Sequence, residues 1–386
     1  MVGTGKQHAN TRSRLTSSAL GVLGVLAVLL TNVAFTQSST AASGPRSSDL
    51  GVSAGGPFMW QSDADLEREL VAITAAGVSR LRIDVDWSAI ESTRGQLDWA
   101  NTDRIVAAAK RHSLSVLGIV TYTPRWAQVA GVPDGDTHGQ PADPAQFAAF
   151  AAAAATRYLS TVDAWEVWNE PNLQSFWAPN PNPGAYATLL AATYRAIKAV
   201  APGTPVISGG LAPATNSGDG SSIAPETFVK AMYDAGAGAN LDAVAVHPYS
   251  YPALPSDSST SAWNTFQRLT LIRDIMVGHS DAAKKIWLTE FGAPTGTSRV
   301  SVSESAQAEM IRAGIQMARA QSWTGPLFVY NGRDTGTNAA DPEQNFGLVR
   351  YDFTPKPAFA AVLAAAVPTP PPTNGINIGT ALFLQR

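Results

Sequence analysis

Trp165-Glu166-Val167-Trp168-Asn169-Glu170-Pro171 and Trp287-Leu288-Thr289-Glu290-Phe291-Gly292 decide how this chain is read. Each is an apolar, strand-like run that ends in a glutamate, at the point where a barrel strand hands over to a loop. Glu170 and Glu290 are far enough apart in the chain to sit on different strands of one barrel. In that arrangement the two carboxylates converge across a common mouth.

The rest of the pattern fits the same architecture. Short β-branched runs occur at 50–53, 79–85, 114–120, 162–168, 205–208, 243–247, 285–290 and 326–330. Helical stretches follow at 63–76, 101–111, 144–158, 183–200, 224–235, 262–278, 303–321 and 356–366. Strands alternating with helices of this length imply a parallel sheet. Eight repeats in a chain of this size favour a single closed (β/α)8 TIM barrel, an α/β fold, over an open doubly wound sheet. The connections at 122–143, 169–182, 209–223, 248–261 and 331–351 all follow strands and are long. They belong to the C-terminal face, where barrel enzymes keep their active sites.

Composition narrows the function. With 386 residues, 45% hydrophobic and 15% charged, the chain has material for one large core. A net charge of −3 gives no reason to expect nucleic acid or an anionic membrane surface as partner. Zero cysteines exclude disulfides, thiolate catalysis and cysteine metal sites. Ser53-Ala54-Gly55-Gly56-Pro57 lacks the spacing of a dinucleotide fingerprint, and Asp334, Asp341 and Glu343 lack that of a calcium loop. No cofactor and no metal is therefore expected.

The N-terminus reads as an export signal. Lys6, Arg12 and Arg14 precede an apolar run at 19–35, and small residues around Ser39-Thr40-Ala41 offer a cleavage site. The alternative is an uncleaved membrane anchor, because the run is close to the shortest that spans a bilayer. Both place the barrel outside the cytoplasm, secreted or anchored. The expected organisation is a signal segment and linker at 1–48, the barrel at 49–367, and a Pro-rich linker with a tail at 368–386, in a monomer.

Two carboxylates across a cleft are the minimal equipment for cleaving a glycosidic bond. Trp-Asn-Glu-Pro after the fourth strand and a Glu ending the seventh resemble the clan A glycoside hydrolases, the (β/α)8 retaining group. Trp165 to Leu173 with Phe176-Trp177 looks most like family 39, which includes β-xylosidases and exopolysaccharide endoglycosidases. The likeness extends to Arg80-Leu81-Arg82-Ile83-Asp84 with Trp87, to Thr121-Tyr122-Thr123-Pro124-Arg125-Trp126, and to His247-Pro248-Tyr249. It implies Glu170 as general acid/base and Glu290 as nucleophile of a carbohydrate-cleaving enzyme. A transglycosidase, an exo-acting β-xylosidase-like enzyme or a non-catalytic sugar-binding barrel are the alternatives.

The surrounding residues then receive roles. Asn169 would bond the sugar 2-hydroxyl, Arg82 would hold Glu290 ionised, and Tyr249 or His247 would donate to the nucleophile. Glu166 is expected deeper in the barrel, on the face it shares with Glu170 by strand alternation and paired with an Arg or His. Among the loop aromatics, Trp126 and Trp177 are the expected sugar platforms. The eighth strand departs from the clan pattern: Tyr330 stands where many of these enzymes carry Trp, with Asn331 or Asp334 as added polar contacts.

Overall fold

The computed structural model describes residues 47–367, so the expected signal segment and the C-terminal tail lie outside the described residues. Eight parallel strands close in sequence order, with β1 pairing both β2 and β8. They are β1 (Ser47–Ser53), β2 (Val78–Asp86), β3 (Ser115–Thr121), β4 (Val162–Asn169), β5 (Val206–Gly210), β6 (Ala243–Val246), β7 (Lys285–Phe291) and β8 (Thr324–Tyr330). The helices are α1 (Asp63–Ala75), α2 (Trp87–Ile90), α3 (Ala100–Arg111), α4 (Pro144–Arg157), α5 (Pro183–Val200), α6 (Pro225–Asp234), α7 (Thr265–Gly278), α8 (Glu304–Ala320) and α9 (Pro357–Ala366). The expected TIM barrel is the fold observed.

Local chemistry explains where elements begin. Helices α4, α5, α6 and α9 open on proline, whose missing N–H belongs to a group the helix leaves unbonded anyway. Helix α7 starts later than its apolar pattern suggests, because the Asn264 side chain accepts from Phe266 N at 3.1 Å and caps it there. The four residues of α2 carry no periodic signal. They are helical because the Asp86 carboxylate accepts from Ser88 N at 2.8 Å and Ala89 N at 3.2 Å.

Strand alternation divides the core in two. On β2, Leu81, Ile83 and Val85 are fully buried in the layer between barrel and helices, while Arg80, Arg82, Asp84 and Asp86 alternate with them and line the interior. The lower interior is plugged by Leu117, Ala164, Ile207, Ala243, Ala245 and Phe328, with Trp287 beside them. Small residues on β4 and β6 leave room for the Phe328 ring, and a Cβ at Gly51 would run into it. Above this apolar plug the interior turns polar, and the site is built there. Among the described residues no helix is long and apolar enough to cross a membrane.

Candidate active site

Arg82 is the centre of the polar layer. Its side chain is 2% exposed, and all five guanidinium N–H groups find acceptors. Nε and Nη2 donate to the two Glu166 oxygens at 2.7 and 2.9 Å in a bidentate pair. Nη1 donates to Ser53 Oγ at 2.9 Å and to Glu290 Oε1 at 2.5 Å, and Nη2 also donates to Asn169 Oδ1 at 2.9 Å. One cation thus ties β1, β2, β4 and β7 together beneath the mouth. Glu166 is the buried partner expected of it, and Gly210 N donates to it as well at 2.8 Å.

The alternation on β4 does not run through to Glu170. Trp168 has φ 72° and Glu170 φ 48°, both in the left-handed region that bulky residues avoid. Ala164 and Glu166 face the interior, whereas Trp168 joins the outer aromatic layer against Phe147 and Trp177. The turn at Trp168 therefore brings Asn169 inward onto Arg82, and a second turn at Glu170 presents its carboxylate to the cleft. Backbone of this kind persists where the surrounding packing over-determines it, as it does at many active sites.

Glu170 and Glu290 meet over His247. One carboxylate oxygen from each and the His247 Nδ1 all lie within 4.8 Å of one another. His247 is fully buried and its Nδ1 is 2.9 Å from Glu170 Oε1 but 3.6 Å from Glu290 Oε2. Its Nε2 faces Arg82 Nη2 at 3.4 Å, where only a lone pair fits. The proton is therefore assigned to Nδ1, which donates to Glu170. Of the two donors expected at Glu290, Tyr249 is the one that bonds it, through its hydroxyl to Oε2 at 2.9 Å.

Electrostatics set Glu290 apart. Burial pushes its carboxyl up, but His247, Arg82 and the Tyr249 hydroxyl together outweigh that and hold it below the usual range. Removing Tyr249 Oη in Tyr249→Phe deletes one hydrogen bond to a charged group, worth about 1.5–3 kcal/mol. If Glu290 must be ionised, the acidic limb of the kcat/KM–pH profile is expected to move to higher pH. The loss should approach roughly ten- to a hundredfold only at pH values below the wild-type limb and fade towards neutrality.

Close backbone approach is equally necessary. A Cβ at Gly210 would overlap His247 Nε2 and lie 2.6 Å from Thr289 Oγ1. Gly210→Ala is expected to push His247 off Glu170, lowering kcat/KM by about 10²-fold for a displacement near 1 Å. A melting curve alongside the kinetics separates this from overpacking, which costs about 1–3 kcal/mol.

The cleft above these groups has a volume of about 520 Å³. Asn169, Tyr122, Phe176, Tyr249 and Tyr330 line it with both glutamates. Asn169 keeps its amide nitrogen free of protein hydrogen bonds, because Arg82 engages only its oxygen. Asp84 also lines the cleft, and its carboxylate makes no protein hydrogen bond. Burial pushes its carboxyl up to about 7 against the pull of Arg82, with Asp86, Glu290 and Glu166 adding to the rise.

Two expected sugar platforms are not in the cleft. Trp177 is 1% exposed, packed edge-on against Trp168 at 5.1 Å and Tyr186 at 5.7 Å. Trp126 packs on Trp87 at 5.4 Å and donates Nε1 to Glu91 O at 2.9 Å. The loops after β3 and β4 pair with each other, Gln140 N to Ala178 O and Ala178 N to His138 O, both at 3.1 Å. That pairing folds their tryptophans back over the helix layer. Asp334 is also structural, buried against Lys356 Nζ at 2.7 Å. The wall contains residues that the strand-end reading missed: Tyr251, Glu343 and Phe346. Phe346 packs on Tyr330, Tyr249 and Tyr251 with ring centroids at 5.1, 6.0 and 5.7 Å.

Solved structures with the same fold include a family 39 glycoside hydrolase from the gut symbiont Bacteroides cellulosilyticus WH2, 25% identical with a TM-score of 0.66, covering 83% of this chain and 64% of that one. A family 39 β-xylosidase from Caulobacter crescentus is 18% identical with a TM-score of 0.62, covering 83% of this chain and 71% of that one. A family 5 subfamily 18 enzyme from Streptomyces cattleya, solved with GlcNAc, is also 18% identical, with a TM-score of 0.63 and coverage of 83% and 80%. This chain thus spans somewhat less than two thirds of the Bacteroides protein. No curated protein matches it. The family model described as "Glycosyl hydrolase catalytic core" matches residues 138–346. That span is more than half of the chain and holds both glutamates, His247 and Tyr249, so the chain belongs to the glycosyl hydrolase catalytic core family.

Proposed function

We propose that this protein is a retaining O-glycoside hydrolase acting on an extracellular or cell-wall polysaccharide, with Glu290 as nucleophile and Glu170 as general acid/base. The observation that carries the reading is the approach of the two glutamates, with one oxygen of each and His247 Nδ1 mutually within 4.8 Å. Retaining enzymes place their carboxyl groups about 5–5.5 Å apart, and inverting enzymes leave a wider gap to admit water.

In the first step a Glu290 oxygen attacks the anomeric carbon as the bond to the leaving oxygen breaks, and Glu170 delivers its proton to that oxygen. A glycosyl ester on Glu290 and a free leaving-group alcohol result. In the second step Glu170, now a carboxylate, takes a proton from water, and the water oxygen displaces Glu290 from the anomeric carbon. Tyr249 and Arg82 hold the nucleophile ionised and aimed, and the His247 Nδ1–H orients Glu170. The free Asn169 amide is placed to donate to a sugar 2-hydroxyl, a contact that tightens as positive charge develops on the ring. Glu170, His247 and Glu290 also have the donor types of a metal site, but the Arg82 guanidinium on Glu290 already supplies the positive charge there. The basic, apolar N-terminal sequence supports export of this activity from the cytoplasm.

The experiment is labelling with a panel of 2-deoxy-2-fluoro glycosides, read by intact mass and peptide mapping. A sugar ester on Glu290, with products of retained anomeric configuration, is the expected result. An adduct on another residue, or inverted product, would overturn the assignment.

A further inference from the structure

We propose that the catalytic cleft continues past Asp84 into a second sugar-binding compartment with Trp60 as its stacking platform. The substrate is then a chain of neutral sugar units rather than a single terminal sugar. This rests on the hydrolase reading above and specifies the kind of substrate it acts on.

Two adjoining cavities carry the inference. The catalytic cleft of about 520 Å³ and a neighbouring cavity of about 340 Å³ share Gly56, Asp84 and Tyr122 as walls. Asp84 thus stands at the junction, and its carboxylate makes no bond to protein that would compete with a hydroxyl from either side. Gly56 belongs to that junction and has open space beside it, since a Cβ there would meet no atom within 4 Å. At the far wall stands Trp60, 70% exposed on the turn Gly56–Trp60. Unlike Trp87, Trp165, Trp168 and Trp177, which are buried, this indole lines the compartment with most of its surface open to a ligand. The C–H-rich face of a sugar ring is the partner such a ring accepts.

The platform is anchored. The carbonyl of the adjacent Met59 accepts from Asn101 Nδ2 at 2.7 Å and from Arg104 Nη2 at 3.0 Å, which fixes the turn before a ligand arrives. The other polar walls are already engaged: Asp86 caps α2, Asp98 accepts from Ala100 N at 3.0 Å, and His138 pairs with Asp136. No lysine or arginine lines the compartment. An acceptor-rich, cation-free wall suits neutral hydroxyls and disfavours uronates.

The test uses Glu290→Gln, which separates binding from turnover, titrated by calorimetry with neutral β-1,4-linked xylo-, manno- and gluco-oligosaccharides of two to six units. Within a series that binds, affinity is expected to tighten about tenfold on adding the unit that reaches Trp60. Trp60→Ala, and independently Ala89→Phe to fill the compartment beyond the junction, should each erase that step. The affinity of the shorter oligosaccharides should stay as it was. Affinity that does not grow with length would overturn the proposal. So would an equal loss on short and long ligands, or no binding by any member of the panel. Labelling of the wild type on Glu290 scores the hydrolase reading separately, so that reading can stand while the second compartment falls.

Discussion

Glu290→Ala is expected to lower kcat/KM by on the order of 10⁴-fold or more and to abolish covalent labelling, while leaving the melting temperature close to that of wild type. The chemical half follows from losing the group that forms the glycosyl ester; what remains is binding and whatever Glu170 supplies alone. The structural half follows from the partners left behind. Arg82 keeps its bidentate pair with Glu166 and its bonds to Ser53 and Asn169, so no charge is stranded. The Tyr249 hydroxyl loses its acceptor, but it lies on the cleft wall, where water can replace it. Added azide sharpens the result. In Glu290→Ala it should attack from the vacated face and give a glycosyl azide of inverted configuration. In Glu170→Ala the ester on Glu290 still forms, and azide should then give the retained product. The Glu170 variant is expected to lose about 10²–10⁴-fold on substrates with poor leaving groups and far less on activated aryl glycosides, which need no proton. Equal losses on both substrate types would sink the acid role of Glu170.

What the sequence disclosed and what it hid divide along physical lines. Periodicity is local, so the eight strands and their long helices were legible from apolar runs such as those in β2 and β4. Four residues of α2 were not, because their helicity depends on one cap from Asp86. The strand-end residues Arg82, Asn169, Glu170, His247, Tyr249, Glu290 and Tyr330 all reach one mouth, since strand ends of a closed barrel must converge. Loop residues follow no such rule. Trp177 turned into the core and Trp126 packed half-buried against Trp87 because their loops pair with each other, and Tyr251, Glu343 and Phe346 entered the wall from loops whose course no pattern announces. The reversal at Trp168 was also invisible. A simple alternation would have put Trp168 rather than Asn169 beside Arg82.

Arg82→Met is expected to destabilise the protein by about 3–5 kcal/mol, the cost of removing one partner from a buried charge pair. In a barrel of this size that corresponds to a fall in melting temperature on the order of 10 °C. Methionine matches the volume but leaves Glu166 and Glu290 without their cation, and Ser53 and Asn169 without their donor. Arg82→Lys should not rescue it: an ammonium has three donors and no planar fork for the bidentate pair, so at least two acceptors stay unmet. The double variant Arg82→Met/Glu166→Met separates stability from catalysis. With both members of the most buried pair replaced by apolar groups, much of the lost stability should return. Activity should not, because Glu290 would still lack the guanidinium that offsets its burial and keeps it ionised. If the double variant regained turnover along with its melting temperature, Arg82 would be only a strut of the barrel, and Glu290 would need another source for its charge.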